Sequence, residues 1–478
     1  MANLKGILDS IRKIMWTDTG LNGDAQRIEQ LGWMLFFKIF SDKDKELEML
    51  DDNYISPIPQ ELHWEEWAGD DEGITGDELQ EFIDRKLFQT LRNIQLVPSE
   101  DIRYKRALLI REVFEGNNNY MKSGTNIRKV LNKLNEIDFN TTKDKHAFGE
   151  LYETILKELQ SAGKSGEFYT PRAITEFITE MINPQLGEKI LDPACGTGGY
   201  LTAAIEHLKN LAENVEDRQN IAKNIIGWEY KPLPYLLATT NLILHEMEVP
   251  NITFRDSLEQ PLSHYTEKNR VNAILANPPF GGIVANNNEN NFPQNFRTKE
   301  SADLFLILMI HLLKQGGRAG IVLPDGSLTG DGVKQRVREK LLKDCNLHTI
   351  IRLPNSVFQP YATVATNLLF FTKGEPTKEI WYYEHRLPEG QKSYNKTRPI
   401  QLREFEPIKK WWKKRKESDI CWKVDLQTII DRNYDLDIKN PTKEKEAIEY
   451  SSSELMRMLE TSFSKSSDLL NKLKEAVK

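Results

Sequence analysis

The sequence predicts an α/β protein with a Rossmann-like sheet, preceded by a helical N-terminal domain and followed by a helical tail. From about residue 143 onward, short β-rich runs alternate with helical segments, as in a parallel sheet with crossover helices. Before that point the apolar pattern is helical, and the last part of the chain is charged and helical in character.

The chain is too long for one ordinary core, because a domain typically spans roughly 100–200 residues. We therefore divide its 478 residues into three regions. These are a helical N-terminal domain (1–142), an α/β domain (143–373) and a C-terminal region (374–478). Hydrophobic residues at 39% and charged residues at 28% agree with a globular protein that can bury a core.

The helical prediction for the N-terminal domain rests on apolar periodicity. The segment Ile28–Phe40 places apolar residues on a wide helical face, and Asn126–Ile137 continues the helical period. No motif in this domain carries recognisable chemistry, so we expect an accessory role for it.

Seven apolar runs in the α/β domain are predicted strands, enough for a Rossmann-like sheet. They are Lys189–Leu191, Ile225–Trp228, Ile252–Phe254, Val271–Ala276, Ala319–Leu323, Thr349–Arg352 and Val364–Phe371. The segment Ile283–Thr298 holds six asparagines without apolar periodicity. It is predicted to be a mobile loop without regular structure, which the substrate would order.

The C-terminal region is charged, and Glu444–Lys478 is predicted to form a terminal helix. Its apolar residues would lie along one face and dock on another surface: Leu455, Met458, Leu459 and Phe463. The run Lys409–Lys416 interleaves tryptophans with positive charge. It either contacts nucleic acid or forms a solvated helix whose tryptophans pack inward.

The net charge of −7, from 64 basic and 71 acidic residues, is unfavourable for binding DNA unaided, because Lys and Arg normally supply most of the non-specific affinity. Either the basic residues are locally clustered or a partner supplies them. The three cysteines form no C-x-x-C pair and the eight histidines show no ligand spacing, so neither disulfides nor a metal site is predicted. No targeting or membrane-spanning segment is recognised, so we expect a protein of the reducing cytoplasm.

The first motif is the glycine-rich turn Asp192-Pro-Ala-Cys-Gly-Thr-Gly-Gly199, which follows a short apolar run and precedes a helical one. Its glycines let the backbone approach a ligand closely, and the N-terminus of the helix offers free N–H groups. Alone, such a turn also fits a tight strand-to-helix connection without a ligand.

Two carboxylates follow this turn in order. Glu229 ends the next predicted strand, and Asp256 follows the strand after that. A carboxylate at the first position can accept both hydroxyls of a ribose, and one at the second can accept an adenine amino group. Each alone could be an exposed carboxylate or a helix cap, but their order predicts a nucleoside-containing ligand.

The second motif is Asn277-Pro-Pro-Phe280, directly after the predicted strand Val271–Ala276. The prolines fix the backbone and remove competing N–H groups, so the Asn277 amide and the Pro278 carbonyl can face one point. Two acceptors there suit an exocyclic amine, whose lone pair is freed to attack the methyl group of a sulfonium donor. Phe280 offers a face on which an extruded base can stack. Otherwise the motif would be a rigid loop with a core aromatic.

Two weaker features flank these motifs. Glu167–Arg172 opens a helix, with Thr170 as N-cap and Pro171 at the first helical position, and by itself it predicts no ligand. Asp303, at the start of a predicted helix, either lines the site or caps that helix.

The motif order resembles that of methyltransferases that modify adenine N6 in DNA: EFYTPR, DPACGTGG, GWEYKP, RDSL, NPPF and SADLFL. Two further segments resemble the modification subunits of type I restriction-modification systems: LGWMLFFKIFSDKD near the N-terminus and NYDLDIKNP at 433–441. The resemblance therefore covers nearly the whole chain. It implies a class I methyltransferase fold. The implied activity is site-specific methyl transfer from S-adenosylmethionine to adenine in duplex DNA.

The same resemblance implies the site residues. The cofactor S-adenosylmethionine would be bound by four segments: Glu167, Phe168, Tyr169, Thr170, Pro171 and Arg172; Asp192, Ala194, Gly196, Thr197, Gly198 and Gly199; Glu229; and Asp256. The catalytic residues that meet the target base would be Asn277, Pro278, Pro279 and Phe280.

The family lacks its own target-recognition domain, and no large β-rich segment follows the predicted core here. The resemblance therefore implies a separate specificity subunit, shared by two modification subunits, on which the C-terminal helix would dock. A restriction subunit would be added for cleavage. The acidic net charge agrees with recognition of double-stranded DNA being delegated in this way.

Two other functions are open at this point. Methyltransferases of RNA guanine or of protein glutamine carry a similar motif, usually with Tyr in place of Phe280 and in shorter chains. A non-catalytic scaffold of a DNA-defence complex is the other alternative. An altered glycine-rich turn or Asn-Pro-Pro-Phe motif would favour the scaffold, and both are intact.

Overall fold

The computed structural model describes residues 4–99, 101–137, 139, 149, 152–156, 169–285, 287–359, 362, 364–441 and 452–476. The chain divides into two compact units, Met1–Ile438 and Lys439–Lys478. Within the described residues, no helix combines the length and the apolar character needed to cross a membrane.

The N-terminal region is helical, as predicted. Every residue of 30–41 is buried, because apolar side chains predominate on all sides of the helix there and other helices surround them, so that even Gln30, Lys38 and Ser41 are buried. The side chains of Asp101 and Ser123 cap two later helices by accepting backbone hydrogen bonds. The helices are α1 (Leu4–Trp16), α2 (Asp24–Leu50), α3 (Trp64–Trp67), α4 (Gly76–Glu81), α5 (Phe88–Arg92), α6 (Ile102–Gly116) and α7 (Gly124–Asn135), with a π-helical turn at Phe82–Leu87.

The described residues form one mixed sheet of nine strands: β1 (Ile190–Asp192), β2 (Ile225–Glu229), β3 (Ile252–Phe254), β4 (Val271–Ala276), β5 (Leu313–Pro324), β6 (Cys345–Arg352), β7 (Thr366–Lys373), β8 (Glu379–Glu384) and β9 (Cys421–Asp425). Their spatial order is β3-β2-β1-β4-β5-β7-β6-β8-β9. β1 to β5 are parallel, and β7 runs antiparallel between β5 and β6. The predicted Rossmann-like fold class is confirmed. The strand order reverses between β1 and β4, where such sheets bind ligands.

Two of these strands, β8 and β9, are not among the seven that the sequence predicts. Both lie in the charged region and pair with each other antiparallel. At one paired position the ring of Tyr382 stacks on that of Trp422, with ring centroids 5.3 Å apart. The sheet therefore continues past residue 373, so the predicted division there does not coincide with its end.

Helices cover both faces of the sheet, because alternate residues of its central strands point to opposite sides. Ile190 and Leu275 belong to one hydrophobic cluster, whereas Leu191 and Ile274 belong to the other. The helices are α8 (Arg172–Ile182), α9 (Gly199–Lys209), α10 (Val215–Asn224), α11 (Pro232–Leu244), α12 (Ser301–Leu312), α13 (Asp325–Leu328), α14 (Val333–Asp344), α15 (Glu406–Lys413) and α16 (Leu426–Asp431).

A buried arginine joins the N-terminal helices to the sheet. The guanidinium of Arg106 donates to Asp44 Oδ1 at 2.6 Å, to the carbonyl of Phe40 at 3.2 Å and to the carbonyl of Glu248 at 2.9 Å. The first two partners lie on α2, whereas Glu248 lies between α11 and β3. Arg106 and Asp44 are both fully buried, so this pair is shielded from water.

The basic run contributes to α15, and its tryptophans pack inward. Trp412 contacts Phe370 edge-on, with ring centroids 4.9 Å apart, and Trp411 lies 5.1 Å from Tyr383. Of the two interpretations of this run, the structure favours the solvated helix with inward-facing tryptophans.

The asparagine-rich segment is more ordered than predicted. It contains two 3₁₀ turns, Asn288–Asn291 and Gln294–Phe296. Val284, Asn288 and Phe292 are buried. The expectation of a loop without regular structure is wrong for its described residues, because these buried side chains hold it against the rest of the unit.

The second unit contains the helix α17 (Ser452–Ala476), which agrees with the predicted helical tail. The four apolar residues singled out in the sequence are exposed by 48 to 73% of their surface: Leu455, Met458, Leu459 and Phe463. An apolar face of this kind favours docking on another surface.

Candidate active site

A cavity of about 330 Å³ lies at the carboxyl ends of the parallel strands, around the point where the strand order reverses. Ten of the residues that the sequence analysis assigns to cofactor binding or catalysis line it: Thr170, Asp192, Ala194, Gly196, Thr197, Gly199, Glu229, Asp256, Asn277 and Pro279. Residues far apart in sequence meet there because parallel strands end at one edge of a sheet.

The glycine-rich turn forms one wall of this cavity. Gly196 and Gly198 adopt φ of 54° and 81°, a conformation that favours glycine, and a Cβ on Gly198 would lie 3.1 Å from the Leu242 side chain. The side chain of Asn241 donates to the carbonyl of Thr197 at 3.1 Å. The turn is therefore held in shape by α11 behind it.

Glu229 lies at the end of β2 and is buried. Its carboxylate accepts backbone hydrogen bonds from Gly196 at 3.0 Å, from Tyr230 at 2.9 Å and from Lys231 at 2.7 Å. Burial raises the pKa of Glu229 to about 7, although these N–H groups oppose the shift. Since each carboxylate oxygen has two lone pairs, Tyr230 and Lys231 fill both positions on Oε1, and one acceptor position is left for a ligand on Oε2.

Asp192 adds a second buried carboxyl to the same wall. It accepts a hydrogen bond from the backbone of Ala194 at 3.0 Å. Burial raises the pKa of Asp192 well above its ordinary value, and the charge of Glu229 adds to the shift. Two buried carboxyls facing one cavity favour a cationic ligand. S-adenosylmethionine, with its sulfonium and ammonium groups, fits that requirement.

Asp256 follows β3 and lines the cavity beside the asparagine-rich segment. Its Oδ1 accepts from the backbone of Leu258 at 2.9 Å, and its Oδ2 accepts from the side chain of Asn288 at 2.8 Å. Asn288 is a residue that the sequence pattern did not reveal. Arg255 lies over the ring of Trp228, 4.7 Å from its centroid, and both line the cavity as well.

Asn277 faces the cavity from the end of β4. Its amide nitrogen donates to the hydroxyl of Thr170 at 3.0 Å, whereas its amide oxygen is buried without a hydrogen-bond partner among the described residues. The carbonyl of Pro279 accepts from the hydroxyl of Ser301 at 3.0 Å, which ties the motif to the start of α12. An unpartnered buried acceptor at this place is available to a substrate amine.

The remaining residues of the Asn-Pro-Pro-Phe motif lie outside the cavity wall. Pro278 is buried, and Phe280 is half-buried in an edge-to-face contact with Phe358, with centroids 6.1 Å apart. Asp303 neither lines the cavity nor caps its helix by a side-chain hydrogen bond. It is buried and pairs with Lys334 at 3.1 Å.

The segment before the glycine-rich turn divides into residues with different surroundings. Thr170 lines the cavity, whereas Tyr169 and Pro171 are buried away from it. Arg172 donates to Glu153 through Nε at 2.6 Å and packs against Gly199. Gly198 is also outside the cavity wall, while Glu167 and Phe168 lie outside the described residues.

Further lining residues were not assigned to the site from the sequence, although all but Val284 lie in the quoted motifs: Cys195, Trp228, Lys231, Arg255, Ser257, Leu258, Val284 and Phe305. Most of them are immediate neighbours of Glu229, Asp256 or the glycine-rich turn. Their proximity in sequence to the predicted carboxylates was the signal that could have found them. Phe305 lies in the quoted SADLFL motif and Val284 in the asparagine-rich segment, so the sequence pointed to both stretches without assigning either residue to the site.

Comparison with known proteins agrees with this geometry. A model of the family N-6 DNA Methylase matches residues 143–450, and a model of the HsdM N-terminal domain matches residues 4–134. The chain is 47% identical to the type I restriction enzyme EcoEI methylase subunit of Escherichia coli, over 99% of this chain and 97% of that protein.

Solved structures agree as well. A modification subunit assigned to a type I restriction enzyme of Vibrio vulnificus YJ016 superposes with a TM-score of 0.81 at 42% identity, over 94% of this chain and 98% of that one. A chain of a type I R-M system gives a TM-score of 0.83 at 32% identity, over 100% and 98% of the two chains. The chain therefore belongs to the N-6 DNA methylase family, among the methylase subunits of type I restriction-modification systems.

Proposed function

We propose that this protein transfers a methyl group from S-adenosylmethionine to N6 of adenine in duplex DNA through Asn277 and the Pro278 carbonyl. The observation that carries the proposal is the buried, unpartnered amide oxygen of Asn277 at the cavity wall. This oxygen and the carbonyl would accept the two hydrogens of the target amine. The nitrogen lone pair then attacks the methyl group, with proximity supplying much of the rate.

The cofactor would occupy the half of the cavity that the glycine-rich turn, Glu229 and Asp256 line. In this proposal Glu229 accepts a hydrogen bond from a ribose hydroxyl through Oε2, and Asp256 accepts one from the adenine amino group. The buried carboxyls of Asp192 and Glu229 would attract the positively charged part of the cofactor, since burial disfavours carboxylates that no cation compensates. Phe280 would stack on the extruded adenine.

Recognition of the DNA sequence would come from a separate specificity subunit that holds two copies of this chain, with a restriction subunit added for cleavage. The net charge of −7 supports this division of labour. Purified chain, duplex DNA and S-adenosylmethionine would be combined with and without the specificity subunit, and N6-methyladenine mapped by sequencing. We expect methylation only in the complete mixture. Robust site-specific methylation by the chain alone would contradict delegated recognition, and no methylation in either mixture would contradict the activity.

The terminal helix α17 is the proposed docking element for that partner. Its exposed apolar residues are otherwise difficult to stabilise in water. Deleting Glu444–Lys478 should abolish co-purification with the specificity subunit and leave the Kd for S-adenosylmethionine within about twofold. A matched control replaces exposed polar residues of the same helix, Ser464 and Ser466, by alanine and should assemble normally. Unchanged assembly of the deleted chain would refute this role.

A further inference from the structure

The asparagine-rich segment is anchored beside the cavity at both of its ends. Ile283 forms a β-bridge with Glu300, and the backbone of Val284 donates to the carbonyl of Lys299 at 3.0 Å. Ile283 and Val284 line the cavity and lie three and four residues after Phe280. The stretch that continues the Asn-Pro-Pro-Phe motif thus becomes part of the cavity wall.

Two asparagines attach this segment to the turn that carries Asp256. Asn291 donates to the carbonyls of Leu258 at 2.9 Å and Glu259 at 2.7 Å. Asn288 donates to Asp256 Oδ2 at 2.8 Å. Asn288 is only 8% exposed, so its bond to the carboxylate is protected from competing water.

The Asn288 bond defines the orientation of the Asp256 carboxylate. The backbone N–H of Leu258 holds Oδ1, and the Asn288 amide holds Oδ2. One acceptor position is left on each oxygen, because each has two lone pairs. Without Asn288, the Asp256 carboxylate would lose one of these two hydrogen bonds and keep the one from Leu258. It could then rotate away from a ligand.

We propose that Asn288 is a positioning residue for cofactor binding. It fixes the Asp256 carboxylate in the orientation in which that carboxylate accepts a hydrogen bond from the adenine amino group. The inference rests on the proposed function, in which Asp256 receives that group. Asn288 lies on the asparagine-rich segment, which continues the Asn-Pro-Pro-Phe motif. The hydrogen bond from Asn288 to Asp256 therefore links the proposed adenine end of the cofactor site to the segment beside the proposed site of the target base. Cofactor selectivity for an amino-bearing purine therefore depends on this asparagine.

The test combines a change in the protein with a change in the ligand. Full-length Asn288→Ala would be titrated calorimetrically with S-adenosylhomocysteine, and with its analogue in which hydrogen replaces the 6-amino group. We expect about tenfold weaker binding of S-adenosylhomocysteine, since a hydrogen bond to a charged group loses its support. The Kd of the analogue should change by less than about twofold, because the analogue has no amino group to donate a hydrogen bond to Asp256. Asn290→Ala, an exposed asparagine of the same segment, is the matched control and should bind both ligands like wild type.

Equal losses for both ligands, or no loss for either, would overturn the inference. If the alanine variant does not fold, Asn288→Ser gives the same contrast, since serine suits a turn but is too short to reach Asp256. A wild-type chain that does not bind S-adenosylhomocysteine at all would instead contradict the proposed function. In the assembled complex Asn288→Ala should raise the KM for S-adenosylmethionine about tenfold with kcat nearly unchanged, and a fall in kcat alone would also overturn the inference.

Discussion

The proposed cofactor half of the cavity, lined by the glycine-rich turn, Glu229 and Asp256, differs from the proposed catalytic half, lined by Asn277 and Pro279, in how its polar groups are satisfied. In the cofactor half, three backbone N–H groups already hold the carboxylate of Glu229. In the catalytic half, the Asn277 amide donates to Thr170, but its buried oxygen has no partner among the described residues. A buried unpaired acceptor costs roughly 1–3 kcal/mol. The fold thus pairs the polar groups of the cofactor half by itself, whereas in the proposed function a substrate amine would complete those of the catalytic half.

The largest expected effect is on the incomplete half. Asn277→Ala should reduce the rate of methyl transfer by a factor on the order of 100 or more, because an acceptor for the target amine is lost. Cofactor affinity should stay near that of wild type, since Glu229 and Asp256 remain. Single-turnover methyl transfer in the assembled complex, beside calorimetric cofactor titration, separates the two quantities. A variant that keeps the full transfer rate would show that Asn-Pro-Pro-Phe is not the catalytic motif.

The next effect concerns Phe280, the aromatic residue of the Asn-Pro-Pro-Phe motif, which lies beside the cavity wall. Phe280→Ala should slow methyl transfer by about 10- to 50-fold, because an extruded adenine loses its stacking partner while the acceptors remain. Phe280→Tyr keeps the ring and serves as the control. A DNA substrate with a mismatched target adenine should narrow the difference, since less pairing energy opposes extrusion. Equal rates for the alanine and tyrosine variants would exclude stacking on Phe280.

The third effect is the pH dependence of cofactor affinity, which tests the role of Glu229 in the cofactor half. The pKa of Glu229 is raised to about 7 by burial. A ribose hydroxyl donates to the ionised form, so cofactor affinity should rise about tenfold between pH 6 and pH 8. Calorimetric titration across this range measures the change, and Glu229→Gln should flatten it. An affinity independent of pH would mean that Glu229 does not accept the ribose.

The Glu229 carboxyl should make the stability of the unliganded protein fall as the pH rises, whereas cofactor affinity rises. Its pKa is higher in the folded state than its ordinary value of 4.5. Its stabilising contribution is therefore fully present below about pH 4.5 and is lost as the pH rises through about 7. Cofactor should in turn raise the Tm more at pH 8 than at pH 6, which thermal unfolding with and without cofactor would show.

The smallest expected effect lies at the contact between the halves. Thr170→Val removes the acceptor of the Asn277 amide and should lower kcat by about three- to tenfold, because the amide is then less well oriented. Thr170→Ser retains the hydroxyl and should behave like wild type. If valine and serine at this position give the same kcat, the hydrogen bond to Thr170 does not orient Asn277.

The central sheet and the positions of Glu229, Asp256 and Asn277 were predictable from sequence. Each of the three follows a short apolar run, and parallel topology brings the ends of such runs to one edge. The strands β8 and β9 were not predictable from sequence, because their aromatic residues stand among charged ones. Their alignment opposite each other appears only once the two strands pair. Asn288 was also hidden, since its contact with Asp256 spans 32 positions and follows from the path of the chain, whereas local composition indicated a loop.

The buried contact of Arg106 has a consequence for how the molecule can be divided. Its partners belong to the helical region on one side and to the loop before β3 on the other. Breaking a buried ion pair typically costs about 3–5 kcal/mol, a large part of the roughly 5–15 kcal/mol that holds a domain folded. Backbone amides of α2 and of the central strands should therefore exchange hydrogen through one shared opening. Recombination between relatives would preserve cooperative folding if the chains were joined after Ile438, where the first unit ends, and would lose it at a junction between α7 and β1.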